Sequence, residues 1–287
     1  MVWEYIPLAT AFVGATVSAL WDLKTTEIPD AIPYVMMAIG LVFWGAQSYL
    51  LADYMLLVSS VIAGLGLLGF GFLMYYLGQW GGGDAKLLSA IGFLLPVAPQ
   101  GFAHTLFPYP FTYTINVFII GALYMVLYAT VVAARNRKVI SAFMHDVKAS
   151  SKIIAFGTAA LVVVFFGATY YVTSILQIPF SADVILVSIV FPSLATIGIY
   201  VVFKFAKSVE NVGFKQKIPM SKLKVGDVLM ENRLWEGITE KQLQRIKKSR
   251  KRYVWIKSGV RFGPAFPLAL LFTLYFGDLI FLIVSAV

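Results

Sequence analysis

Apolar runs of bilayer-crossing length recur along this chain and leave few folds open to it. A hydrocarbon core about 30 Å thick is crossed by a helix of roughly 20 mainly apolar residues. Eight stretches reach or approach that length: 5–21, 31–52, 55–77, 85–97, 115–134, 153–176, 184–203 and 266–286. The fourth is short and runs into Pro96 and Pro99. The first lacks a preceding basic region or an A-x-A-like site, so it reads as a retained helix rather than a cleaved signal. The expected fold is therefore all-α and polytopic, with about eight transmembrane helices. Composition agrees: 60% of the residues are hydrophobic and 13% charged, against about 25% charged in a soluble domain. That balance excludes an ordinary water-soluble enzyme, a disordered chain and, despite a net charge of +9, a nucleic-acid-binding module.

Charge placement gives an expected orientation, because cytoplasmic loops collect Lys and Arg. All 23 basic residues fall in alternate connections: at Lys24, at Lys86, from Arg135 to Lys152, and from Lys204 to Arg261. The connections around Asp53, at 100–114 and at 177–183 hold none. Eight spans with both termini outside fit this alternation, which places the protein in the cell membrane. Five segments are expected: a membrane core at 1–134, a basic interfacial helix at 135–152, a transmembrane hairpin at 153–203, a cytoplasmic module at 204–263 and a last helix at 264–287. In the interfacial segment Val139, Ile140, Phe143 and Met144 are spaced for one apolar helical face. The module is expected to be a small α+β unit. It has a turn at Val225-Gly226-Asp227, a capping box opening at Thr239 with Gln242, a basic helix at 241–251 and a strand at 253–257. Its basic residues suit topology and anionic lipid, not nucleic acid.

The chemistry open to such a chain is narrow. With no cysteine there is no thiolate site or Cys nucleophile, and the two histidines, His104 and His145, stand far apart. His104 reads as part of an outer aromatic belt and His145 as a solvated residue of the interfacial helix. Carboxylates remain, and an acid within a span is costly enough to be functional by default. Asp22 ends the first span, and Asp84 opens the fourth behind Gly81-Gly82-Gly83. The first helix runs inward and the fourth outward, so both acids sit at the same depth near the cytoplasmic face. Glycines there give a substrate strand room beside an acid, and irregular backbone is tolerated in membranes where it lines protein or a wet cavity. Two neighbouring carboxylates share a proton, so one can act as base and the other as acid toward a peptide carbonyl. A helix-ending role, with Lys24 or Lys86 as ion partner, is the alternative for either acid taken singly. Asp278 has no matched partner and reads as an interhelical hydrogen-bonding residue.

These residues carry a resemblance. Trp21-Asp22 with Lys24 and Ile28-Pro29-Asp30, together with Gly81-Gly82-Gly83-Asp84-Ala85-Lys86, resembles the paired motifs of GxGD-type membrane aspartic proteases. The best match is the type IV prepilin peptidase family in its archaeal preflagellin/prepilin branch. The resemblance covers about 5–135, and the segment from Gly259 to Phe266 is similar to the one that leads into the last helix there. It implies Asp22 and Asp84 as the catalytic pair, Gly81 and Gly83 as the motif glycines and Lys86 as the motif lysine. It further implies an aspartic endopeptidase that removes a basic leader from pilin-like or archaellin precursors at the bilayer surface, with no metal and no organic cofactor. The chain departs from the family pattern in its additional hairpin at 153–203 and in lacking the cysteine-bearing loop of bacterial members, so proteolysis without N-methylation is expected. Presenilin-like proteases also carry GxGD, but their first motif is Tyr-Asp. A transporter with paired acids would need polar residues through the whole bilayer, and a non-catalytic scaffold would not need both acids.

Overall fold

A computed structural model describes residues 5–103, 105–231, 237–248, 252–257, 261–279 and 282. His104, the end of the expected basic helix at 249–251, Gly259-Val260 and most of the last span beyond Leu279 lie outside the described residues. Two compact units result: Met1–Met125 with Gln216–Val287, and Val126–Lys215.

The first unit opens with α1 (Ile6–Thr25), α2 (Ala31–Leu50), α3 (Met55–Tyr76) and α4 (Gly82–Leu94), followed by α5 (Tyr109–Arg135), which runs on into the second unit. Helix α4 packs against α1, α2 and α3. It is buried along nearly its whole length from Ala85 to Leu94, so it forms the core of this unit. At 13 residues it is about 20 Å long, too short to cross the hydrocarbon alone. Pro96 cannot supply the next helical donor, and side chains take over: Ser60 Oγ donates to Phe93 O at 2.6 Å and Trp44 Nε1 to Leu94 O at 3.0 Å. Halfway along, Ser89 Oγ donates to Gly64 O at 2.8 Å. Such hydroxyl bridges join helices where lipid offers no competing partner.

The same unit closes with α11 (Ala265–Phe276), an apolar helix of 12 residues. It ends at Gly277, whose φ of +67° breaks the helix. Asp278 then turns inward and accepts from Thr112 Oγ1 and from Leu106 N, each at 2.5 Å. Asn116 of α5 joins the same seam, donating to Thr273 Oγ1 at 2.9 Å and to Gly277 O at 2.8 Å. Asp278 is thus an interhelical hydrogen-bonding residue, as its unmatched position suggested.

Between them lies the α+β part. β1 (Lys215–Pro219), β2 (Val228–Leu229) and β3 (Tyr253–Lys257) form one sheet in the order β1-β3-β2. β2 and β3 are antiparallel, with Val228 opposite Lys257 and Leu229 opposite Ile256. Helix α10 (Glu240–Lys247) starts with the expected capping box, since Thr239 N donates to Gln242 Oε1 at 2.8 Å and Gln242 N to Thr239 Oγ1 at 3.4 Å. Leu223, Ile238 and Leu243 form its small core. Gly226 takes φ +91° in the expected turn, and Asp227 Oδ2 closes it by accepting from Lys224 N at 2.7 Å.

In the second unit α6 (Arg137–Ala149) is capped by Asn136, whose Oδ1 accepts from Lys138 N at 3.1 Å. It is followed by α7 (Ser151–Leu176) and by a continuous helical stretch at Ala182–Phe214 that contains α8 (Ala182–Ile185) and α9 (Phe191–Ser208). The apolar face expected to lie in the bilayer interface is divided. Val139 is fully buried and Phe143 meets the Phe205 ring at 5.3 Å, while Ile140 and Met144 stay exposed. The protein itself therefore takes up half of that face.

Among the described residues six helices are long and apolar enough to cross a membrane: Ile6–Thr25, Ala31–Leu50, Met55–Tyr76, Tyr109–Arg135, Ser151–Leu176 and Ala182–Phe214. The chain is a mostly helical, polytopic membrane protein with a small sheet. Among the described residues the count of eight full spans is not reached, because α4 has 13 residues and α11 has 12.

Candidate active site

The two acids expected to act together line one cleft, of about 840 Å3, in the first unit. Asp22 reaches it from the last turn of α1. Thr26, at φ +61°, ends that helix in a left-handed turn and donates its N–H to Asp22 O at 2.8 Å. The carboxylate is buried and its Oδ2 accepts from Gly263 N at 2.7 Å. Asp84 sits in the first turn of α4, where unpaired N–H groups favour an acid. Its Oδ2 accepts from Gly81 N at 3.0 Å, which folds the carboxylate back over the glycine turn. The two carboxylates are close enough for the charge of Asp22 to act on Asp84.

Lys86 does not neutralise Asp84. Its Nζ lies 2.7 Å from Asp30 Oδ2 and 5.4 Å from the centre of the Tyr34 ring. The motif lysine therefore ties the start of α4 to the Ile28-Pro29-Asp30 segment, and the ion-pair alternative for Asp84 does not arise through it.

Gly83 has a different physical reason from the one its sequence setting suggested. A Cβ there would stand 2.9 Å from Ile28 Cβ and 3.3 Å from Ile28 O. The approach that needs a glycine is thus made by the protein's own first motif. At Gly82 the nearest atom would be 3.9 Å away, and this glycine borders the cleft. Gly83→Ala should lower stability by about 1–3 kcal/mol through overpacking, measured by unfolding in detergent. Gly82→Ala carries no such contact and serves as the comparison.

Residues remote in sequence complete the walls. Gly226, Asp227 and Val228 come from the turn before β2, Ile256 and Lys257 from β3, and Arg261 and Phe262 from the segment entering α11. Of these, Arg261 acts electrostatically on Asp22, and Phe262 stands over Trp80, with ring centres 5.9 Å apart. Reasoning from local pattern did not assign them to the site. The available signal was the Arg-Phe-Gly-Pro run ahead of the last helix.

A set of long apolar helices with two carboxylates lining one cleft describes a polytopic membrane protein with a candidate paired-acid site. Residues 9–133, which contain both acids, match the model of the type IV leader peptidase family. Relatives include a prepilin peptidase of Methanothermobacter thermautotrophicus, 26% identical over 159 residues, which is 52% of this chain and 41% of the relative. A preflagellin peptidase of Methanocaldococcus jannaschii is 33% identical over 84 residues, 29% of this chain and 36% of the relative. That of Methanococcus maripaludis is 30% identical over 129 residues, 43% of this chain and 56% of the relative. The matched part of the chain thus spans between 36% and 56% of the length of these relatives.

Proposed function

We propose that this chain is a membrane aspartic endopeptidase that removes a basic leader from pilin-like or archaellin precursors. The observation that carries the reading is that Asp22 and Asp84, from two separate motifs of the family-matched region, line the same cleft. One carboxylate takes a proton from water as the water oxygen attacks the scissile carbonyl carbon. The other, protonated, hydrogen-bonds the carbonyl oxygen, and a proton then passes to the leaving amine as the C–N bond breaks. The cleft volume lies in the range of ligand sites, roughly 300–1,000 Å3. Glu27 and Asp227 on its walls complement a basic leader, and Gly82 leaves open backbone for an extended peptide. On this reading Asp22 and Asp84 are catalytic, Gly81 and Gly83 shape the turn that carries Asp84, and Lys86 holds the two motifs in register.

The same reading sets the protein in the cell membrane, with the cleft and the 204–263 module on the cytoplasmic side and both termini outside, as the distribution of Lys and Arg supports. The substrate's hydrophobic helix would lie in the bilayer, leaving the scissile bond at the surface. Neither metal nor organic cofactor has a role in this chemistry.

The test is to combine the purified protein, in liposomes, with a tagged precursor bearing a basic leader and a hydrophobic helix. A single cut at the leader junction, mapped by the new N-terminus and unaffected by EDTA, is the expected result. A precursor left intact, or an activity lost with EDTA and restored by a divalent cation, would refute the metal-free aspartic mechanism.

A further inference from the structure

The segment at 261–263 touches both acid-bearing motifs at once. On one side, Gly263 N is 2.7 Å from Asp22 Oδ2. Among the described residues this is the only hydrogen bond to that carboxylate, so nothing on α1 itself holds its orientation. On the other side, the Phe262 ring lies 5.9 Å from the ring of Trp80. Trp80 directly precedes Gly81, whose N–H holds Asp84. Trp80 is buried and also stacks on Phe118 at 5.4 Å, so the ring that meets Phe262 is itself fixed. The segment is anchored behind by Ala265 and Phe266, both fully buried at the start of α11.

Only glycine fits at 263. A Cβ there would meet Asp22 Cβ at 2.9 Å, Asp22 Oδ2 at 3.0 Å and Ala19 Cα at 3.1 Å. The last of these is helix backbone and cannot move aside, so any side chain would drive the carboxylate away from its place.

We propose that Arg261-Phe262-Gly263 is a positioning strap, a third element of the active site that sets the Asp22 carboxylate against the glycine turn carrying Asp84. The inference rests on the peptidase reading above. Gly263 acts through its main-chain N–H and Phe262 through Trp80; neither touches the scissile bond. Ile256 and Lys257 of β3 line the same cleft, so the sheet-bearing part of the chain borders the acids as well.

The decisive experiment replaces Gly263 by glycolate in the full-length protein, which exchanges the N–H for an ester oxygen and adds no side chain. Cleavage of the tagged precursor is followed well below the melting transition, with the folded fraction measured in parallel. Loss of a hydrogen bond to a charged group predicts a kcat lowered roughly 10- to 100-fold, with KM and the folded fraction unchanged. Gly263→Ala should lose more, because it displaces Asp22 as well as straining the bond. A wild-type kcat in the ester variant overturns the strap, and so does a loss wholly matched by a loss of folded protein. Asp22→Asn in the same series separates the two ideas: if it cleaves at the wild-type rate, the peptidase reading itself fails.

Discussion

Asp22→Asn and Asp84→Asn are each expected to abolish leader cleavage while leaving the protein folded in the membrane. The substitution is nearly isosteric, and the hydrogen bonds that place each acid can persist. An amide oxygen at position 22 can still accept from Gly263 N, and one at position 84 can still accept from Gly81 N. What is lost is the capacity to take and return a proton. A single positioned acid or base contributes roughly 10²–10⁴-fold to a rate, and on the proposed pairing the double variant should be little worse than either single one. The measurement is the amount of mature product from a tagged precursor, normalised to the folded enzyme in the membrane. Full cleavage by either variant would mean that the acids end helices and nothing more. Strictly additive losses would argue that they do not act as a pair.

Asp278→Ala should have the opposite profile, with a large loss of stability and cleavage per folded molecule preserved. The Asp278 carboxylate receives Leu106 N and Thr112 Oγ1, each at 2.5 Å, and is itself buried. Removing it takes the acceptor from Leu106 N and leaves the Thr112 hydroxyl to its long contact with Phe107 O at 3.5 Å. A hydrogen bond contributes about 0.5–1.5 kcal/mol, and up to about 3 kcal/mol to a carboxylate, so the loss of both is expected to cost about 3 kcal/mol. Asp278→Asn keeps one acceptor and should fall between Ala and the native residue. Unfolding in detergent, paired with cleavage below the transition, checks both halves. Since Asp278 is not part of the cleft wall, a fall in kcat at full folding would show that this seam reaches the chemistry.

Much of the α+β part is legible residue by residue because its signals are local. The Thr239–Gln242 capping box, the Gly226 turn and strand Tyr253–Lys257 all occur where their short patterns place them. The long apolar helices are legible for the same reason, since hydropathy over about 20 residues needs no partner. Helix α4 is where this reading falters. Its apolar residues serve burial inside a bundle rather than a full crossing, and hydropathy cannot tell those two environments apart. The interfacial face of α6 shows a related limit. An apolar stripe shows that a surface must be covered, but Phe143 is covered by Phe205 of α9 and not by lipid alone.

The site divides along the same line. The order of residues by itself pointed to a polytopic membrane protein, left carboxylates as the candidate chemical groups, and marked Asp22 and Asp84 as the two acids at helix ends. Scarcity did this: where charged groups are so costly, each acid that remains is informative. Only the tertiary structure decided what surrounds them. Lys86 pairs with Asp30, Gly83 yields to Ile28, and Asp22 is held by the N–H of a glycine 241 positions away. A main-chain donor has no side-chain signature, and a contact between distant segments leaves no period in the sequence, so these partners emerge only once the helices are packed.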